Sequence, residues 1–372
     1  MKKIIALVSA AIVCAVAAVV LTTIHNNGSE TAQAAADNII VGWNLGNTFE
    51  SNGEWIGLYT DGRPENYETA WGNPVTTPGL IAAVKNSGFN AVRIPVTWHE
   101  HIDEQGNIDP EWLDRIQQVV DHVIQLDMYC VINVHHDAGG GWLRATPECY
   151  EKYHEKVAAL WRNIAVRFRD YGEKLIFEGF NEMLDEEGHW GGAGSPEEYK
   201  VHNDLNQLFV DTVRSTGGNN ASRNLMVQIY SGVCGDGALD NFVLPDDSVG
   251  GHLMVQVHVY DPQPFTWTGV DYTEPTDEWG TQAEREHITE LFEKLAAFSE
   301  RHGVPVIVGE CGADYKGKEE VRKDYVRHFF RCAKANDIKC FWWDTGAMAL
   351  FDRESCSERY PEIISVIREA TR

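Results

Sequence analysis

Leu175-Ile176-Phe177-Glu178-Gly179-Phe180-Asn181-Glu182 decides how this chain is read, because a largely apolar run of strand length closes on two polar side chains. A buried strand gains nothing structurally by ending in Glu unless the carboxylate is paired or used. The layout recurs on both sides of this stretch. Phe89-Asn90-Ala91-Val92-Arg93-Ile94 carries Arg93 just before Pro95, residues 128–134 close on His135-His136-Asp137, and residues 252–259 lead to His258 and Tyr260. Residues 304–309 close on Glu310, and residues 338–343 end in Trp343-Asp344. Adding Ile39-Ile40-Val41-Gly42-Trp43 and residues 225–230 gives about eight strand candidates, the number that closes a parallel barrel.

Helical patterns separate these runs. Asp109-Pro110-Glu111 opens one over residues 112–126, and Ser195-Pro196-Glu197-Glu198 opens another over residues 199–216, each with the start signals of a crossover helix. The expected fold is α/β, a single eight-stranded parallel β/α (TIM) barrel over residues 36–372. An open doubly wound sheet would show a glycine-rich phosphate loop after its first strand, and Gly42-Trp43-Asn44-Leu45-Gly46-Asn47 lacks that spacing.

Lys2-Lys3, an apolar run over residues 4–21 and the small-residue stretch Ala32-Gln33-Ala34-Ala35-Ala36 have the layout of a secretory signal. Cleavage near Ala35 is expected, making residues 1–35 a leader and the protein secreted. The apolar run is long enough that an uncleaved anchor at the cell surface is the alternative, and contact with a membrane is expected only in that case. The formal net charge of −25 opposes nucleic acid and anionic surfaces as partners, which leaves a neutral partner. Twelve Trp and 13 Tyr supply flat amphipathic rings suited to sugar faces as well as to a core. The eight Cys contain no C-x-x-C pair and no zinc-like spacing, and Cys130, Cys311 and Cys340 fall in apparent strands as inert core thiols.

Catalytic groups of a β/α barrel gather where its strands end at the C-terminal face. Glutamates closing the fourth and seventh strands face each other across the axis, which is the paired-carboxylate requirement of glycosidic bond cleavage. Arg93 and the Tyr260 hydroxyl are placed to stabilise charge on Glu310, while partial burial and a like charge nearby favour a protonated Glu182.

These residues resemble the family 5 glycoside hydrolases, and within them the bacterial endo-β-1,4-glucanases of cellulase type. The resemblance runs from Val41-Gly42-Trp43-Asn44-Leu45-Gly46-Asn47-Thr48 through Ala91-Val92-Arg93-Ile94-Pro95-Val96-Thr97-Trp98 and Ile132-Asn133-Val134-His135-His136-Asp137. It continues over Phe177-Glu178-Gly179-Phe180-Asn181-Glu182, His258-Val259-Tyr260, Val306-Ile307-Val308-Gly309-Glu310 and Phe341-Trp342-Trp343-Asp344. It implies Glu182 as acid/base and Glu310 as nucleophile of a retaining double displacement, with no cofactor and no metal. Asn181 would bind the sugar 2-hydroxyl, Arg93, His135, His258 and Tyr260 would line the site, and Trp343 would form a stacking floor. The implied partner is a β-glucan polysaccharide, and the protein is expected to act as a monomer. Met183, Cys311 and Thr345 depart from the family's usual residues, so the choice among cellulose, mixed-linkage glucan, xyloglucan and mannan is not readable.

Two rival readings use other residues. His135, His136, Asp137 and His258 offer metal ligands, but the first strand lacks the His-x-His pair such barrels use. Trp55, Trp71, Trp142, Trp190 and Trp267 would serve a binding module, which has no need of two opposed carboxylates.

Overall fold

The protein, seen here as a computed structural model, is described over residues 29–138, 141–185, 188–189, 194–268 and 274–372. The apolar leader-like run, Cys14, Trp190 and parts of the glycine-rich and acidic loops at 139–140, 186–187 and 191–193 lie outside these residues.

All eight strand candidates form strands, and they close on themselves in sequence order. They are β1 (Gly42–Asn44), β2 (Ala91–Ile94), β3 (Tyr129–Asn133), β4 (Leu175–Glu178), β5 (Leu225–Gln228), β6 (Leu253–His258), β7 (Val306–Cys311) and β8 (Lys339–Trp343). Every neighbour pair is parallel, and Gly42 paired with Phe341 joins the first strand to the last. This is the expected TIM barrel. The crossovers are α2 (Pro78–Asn86), α3 (Pro110–Gln125), α4 (Pro147–Arg167), α5 (Pro196–Ser215), the short helix Asp236–Asp240, α6 (Gln282–His302) and α7 (Glu319–Ala335), with α8 (Pro361–Thr371) after β8. Their starts follow from capping. Ser195 and Glu198 satisfy each other's backbone N–H in a capping box, Thr281 and Glu284 do the same, and Asp109 accepts from Glu111 N at 2.9 Å.

The strand period of two sorts the side chains. Val92, Ile94, Cys130, Ile132 and Phe177 face outward into the large core shared with the helices. Facing inward at the barrel's lower end are Ala91, Tyr129, Val131, Ile176, Met226, Met254, Ile307 and Phe341, a wholly apolar floor. Two residues further along their strands come Arg93, Asn133, Glu178, Gln228 and Gln256, and with Asn44 of β1 they form a buried polar layer.

A helix seals the floor. The helix α1 (Ala32–Asn38) buries Ala32, Ala35 and Ala36 against it, with Ile39 following. Thr31 caps it by accepting from Ala34 N at 3.2 Å, and Ala32 N donates to Gly251 O at 2.8 Å. Only side chains as small as alanine let a helix backbone lie so close to the strand ends. The compact unit that holds the barrel runs from Thr31 to Arg372, so in this chain the small-residue stretch packs as part of it. Among the described residues no helix is long and apolar enough to cross a membrane, and the seven cysteines there are all unpaired. Burial pushes the Cys130 and Cys311 thiols up, which keeps them inert.

Candidate active site

Arg93 stands in the middle of the polar layer, and every one of its donors is used. Its Nε and Nη2 clasp the Glu178 carboxylate at 2.6 and 2.7 Å, and Nη1 reaches Glu310 Oε1 at 2.7 Å. Nη1 also meets Asn44 Oδ1, and Nη2 meets Asn181 Oδ1, both at 3.0 Å. Burial works against the guanidinium charge, and the two carboxylates more than reverse it, so Arg93 is a fixed cation.

Above this layer the strand ends bring the expected residues together. Glu310 receives Arg93 on one oxygen and the Tyr260 hydroxyl on the other at 3.0 Å, with His258 Nδ1 at 3.6 Å. Burial raises its pKa, and His258 and Arg93 oppose that rise while Glu182 adds to it. Sequence reasoning placed the upward pressure on Glu182 and did not anticipate it on Glu310. The Tyr260 phenol is held well above its ordinary pKa by burial and by Glu310, so it stays a donor.

Glu182 projects from the end of β4, and its Oε1 lies 2.6 Å from His258 Nδ1. One oxygen of Glu182, one of Glu310 and a ring nitrogen of His258 all lie within 4.8 Å of one another. The Gln228 amide nitrogen, in the orientation that satisfies both ends of the amide, holds the turn leading to Glu182 by donating to Phe180 O at 2.8 Å and to Asn181 O. Gly232, at φ +70°, brings backbone against this group, and a side chain there would meet Gln228, His258 and Glu182 at 3.2 to 3.4 Å.

His135 closes β3 and stacks parallel to Trp343, with ring centroids 5.9 Å apart. Burial, then the charges of His136 and Arg93, holds it far below the usual histidine range, so it is neutral. Trp343 in turn lies against the backbone of Gly46, where a side chain would sit 3.2 Å from the indole. The structure thus gathers Arg93, His135, Asn181, Glu182, His258, Tyr260, Glu310 and Trp343 at one mouth.

The rival metal set is not assembled. Asp137 turns away to accept from Trp98 N and Trp142 Nε1, both at 2.7 Å, and His136 packs against Trp71. Of the loop tryptophans, Trp142 anchors its own loop through that bond, Trp267 leans edge-on against Tyr260 at 4.7 Å, and Trp55 and Trp71 are exposed. Sequence reasoning missed Asn44, Asn133, Glu178, Gln228 and Gln256. The available signal was a polar residue on an otherwise apolar face, at the last position of β1, β3, β4 and β5 and two positions before the end of β6.

The family model described as cellulase, glycosyl hydrolase family 5, matches residues 49–349. The chain is 35% identical over 306 residues to Endoglucanase A of Clostridium longisporum, covering 82% of this chain and 57% of that protein, so it spans just over half the length of that relative. Among solved structures it is similar to a broad-specificity GH5-4 endoglucanase of Ruminococcus champanellensis with bound cellotriose, at TM-score 0.84 and 36% identity, covering 91% of this chain and 98% of that one. PbGH5A, a family 5 glycoside hydrolase of Prevotella bryantii in complex with a xyloglucan tetradecasaccharide, gives a TM-score of 0.83 at 35% identity, with 93% of this chain and 99% of that one covered.

Proposed function

The chain belongs to glycosyl hydrolase family 5, and on that premise we propose that it is a retaining endo-β-1,4-glucanase, with Glu182 as acid/base and Glu310 as nucleophile. The observation that carries this reading is the pair of carboxylates with oxygens within 4.8 Å of each other. Retaining glycosidases set their carboxyl groups about 5–5.5 Å apart, and inverting ones leave roughly 6.5–9.5 Å for a water. The roles follow from surroundings. Glu310 faces a fixed cation and a phenol donor, which suit an ionised nucleophile, whereas Glu182 is a quarter exposed beside His258 and can exchange its proton.

In the first step Glu182 protonates the leaving oxygen while Glu310 attacks the anomeric carbon and becomes an ester. In the second, Glu182 deprotonates a water that releases the sugar. Asn181, whose Oδ1 is taken by Arg93, offers its amide nitrogen to the sugar 2-hydroxyl, and Trp343 offers its face to the ring. The substrate class is a neutral β-1,4-glucan, supported by the formal net charge of −25 and by the cellotriose and xyloglucan bound to the solved relatives. The enzyme acts as a monomer, since one chain supplies every group named above, and outside the cell, released by cleavage near Ala35 or held there by an uncleaved anchor, as the layout of residues 1–35 supports.

The test is stereochemical. NMR during early hydrolysis is expected to show the β anomer first, and an α-configured first product would sink the retaining mechanism. With azide, Glu310→Ala is expected to give an α-glycosyl product and Glu182→Ala, on an aryl glycoside, a β-glycosyl product. The opposite pattern would reverse the two roles.

A further inference from the structure

Glu178 touches no group that reacts in the mechanism above, yet two of its neighbours do something the ion pair with Arg93 does not require. Its Oε1 accepts from Asn133 Nδ2 at 2.8 Å and from Gln256 Nε2 at 3.1 Å. Each amide nitrogen carries a second hydrogen, and each faces a histidine ring. Asn133 Nδ2 lies 3.0 Å from His135 Nδ1, and Gln256 Nε2 lies 3.1 Å from His258 Nε2.

The amides are not free to turn over. Asn133 Oδ1 accepts from Val96 N at 3.0 Å, which fixes that end. Reversing Gln256 would set its oxygen against Glu178 Oε1, two acceptors at hydrogen-bond distance. As it stands, Gln256 Oε1 has no hydrogen-bond partner among the described residues and lies over Gly309, where a side chain would meet it at 2.3 Å. A neutral imidazole has one N–H and one lone pair, and a ring nitrogen facing an N–H must present the lone pair.

We propose that Glu178, acting through Asn133 and Gln256, sets opposite tautomers on the two active-site histidines, with the proton of His135 on Nε2 and that of His258 on Nδ1. The three are positioning residues. His135 then turns a donor toward the cleft, and His258 donates to Glu182 Oε1. His258 also stays neutral, because an imidazolium would point Nε2–H at the Gln256 N–H.

The other groups around His258 do not give that result. It faces Arg93 from β2, His135 just after β3, Glu182 from beyond the end of β4 and Glu310 from β7; Glu178 reaches it through Gln256 and Tyr260 through Glu310, and Cys234 Sγ meets its carbonyl at 3.8 Å. Burial pushes its pKa down while Glu310 and Glu182 pull it up past the ordinary value. The Gln256 amide resists that pull at the one ring nitrogen the carboxylates do not touch. Resting on the reading of Glu182 as the acid, the consequence is that the acid's neighbour is a neutral hydrogen-bond donor, which orients the Glu182 carboxyl group through Oε1 without setting a cation beside it.

The experiment is a long-range proton–nitrogen NMR spectrum of the full chain labelled with nitrogen-15 at histidine, with rings assigned through His135→Asn and His258→Asn. At neutral pH the two rings are expected to show opposite neutral tautomers, with the pyridine-like nitrogen at Nδ1 in His135 and at Nε2 in His258. Gln256→Met keeps the chain length and removes the amide, and it is expected to give His258 imidazolium character while leaving His135 unchanged. It should also move the basic limb of kcat down by about one pH unit with KM altered less than about twofold. The proposal is overturned by a shared tautomer, by a cationic His258 in the unmodified protein, or by an unaltered His258 spectrum in Gln256→Met. Lost stability with that unaltered spectrum would mark Gln256 as merely structural. If Gln256→Met does not fold, the spectrum of the unmodified protein decides alone. An α-configured product would fail the mechanism and leave the tautomers standing.

Discussion

The floor of the barrel and the layer above it are built on the same strands, two residues apart, and they obey opposite rules. Met254 and Ile307 sit among apolar neighbours and are held by packing that tolerates any shape of similar volume. Glu178 sits in an equally dry interior but has to be matched by specific donors from Arg93, Asn133 and Gln256, because an unpaired charge there costs several kcal/mol. The lower layer makes a barrel, and the upper layer makes that barrel hold a charge pattern. Substitutions at paired heights on one strand separate the two jobs.

The largest difference is expected on β7. Glu310→Ala should lower kcat by roughly 10⁴-fold or more in a well-folded protein. Ile307→Ala, three residues earlier in the floor, should cost about 2–5 kcal/mol of stability with kcat changed less than about twofold. Urea unfolding and initial rates on a soluble glucan check both, and comparable kcat losses at the two positions would end the contrast.

Arg93→Ala combines the two kinds of effect. It leaves Glu178 and Glu310 buried without their cation, an expected loss of about 3–5 kcal/mol. Because Arg93 lowers the Glu310 pKa, its removal should also move the acid limb of the pH profile upward. An unmoved acid limb in folded material would show that Arg93 serves Glu178 alone.

The floor can be tested from beneath. A protein starting at Ala36 lacks the Thr31 cap and the buried Ala32 and Ala35, and it should be about 1–3 kcal/mol less stable than one starting at Ser29. Equal thermal midpoints would mean that α1 adds nothing to the floor.

The smallest expected effect concerns Glu50, buried where it accepts from Thr48 N at 2.9 Å and from Asn47 N. Burial raises its pKa from 4.5 to about 7, against those backbone donors and Arg353. The folded state therefore binds this proton more tightly than the unfolded one, so the contribution is present at acid pH and lost as the pH rises from 4.5 through 7. Glu50→Gln should flatten the thermal midpoint over that window, and a slope unchanged from the parent would place the titration elsewhere.

Much of this was legible in the sequence. The strands were readable because each is short, apolar and bounded by helix-start signals, and the mouth residues because they close those strands. Asn133, Glu178 and Gln256 were not, since an inward polar residue within a strand resembles the alternation of a half-solvated sheet until the closed barrel shows that both faces are covered. Glu50 follows β1 in a loop, where an acid is unremarkable. The packing of residues 32–36 against the floor was not legible for a different reason: alanine suits both a peptidase groove and a helix pressed against strand ends, and only the tertiary contact shows the second.

That helix also sets a direction. The chain enters the barrel through Thr31 at the floor, while Glu182, Glu310 and Trp343 open at the opposite end. On the proposed reading, a glucan lying across Trp343 and the two carboxylates would bear on the strand ends and leave the capped helix beneath untouched, so that the part of the barrel that has to grip and release a polymer is not the part that closes its base.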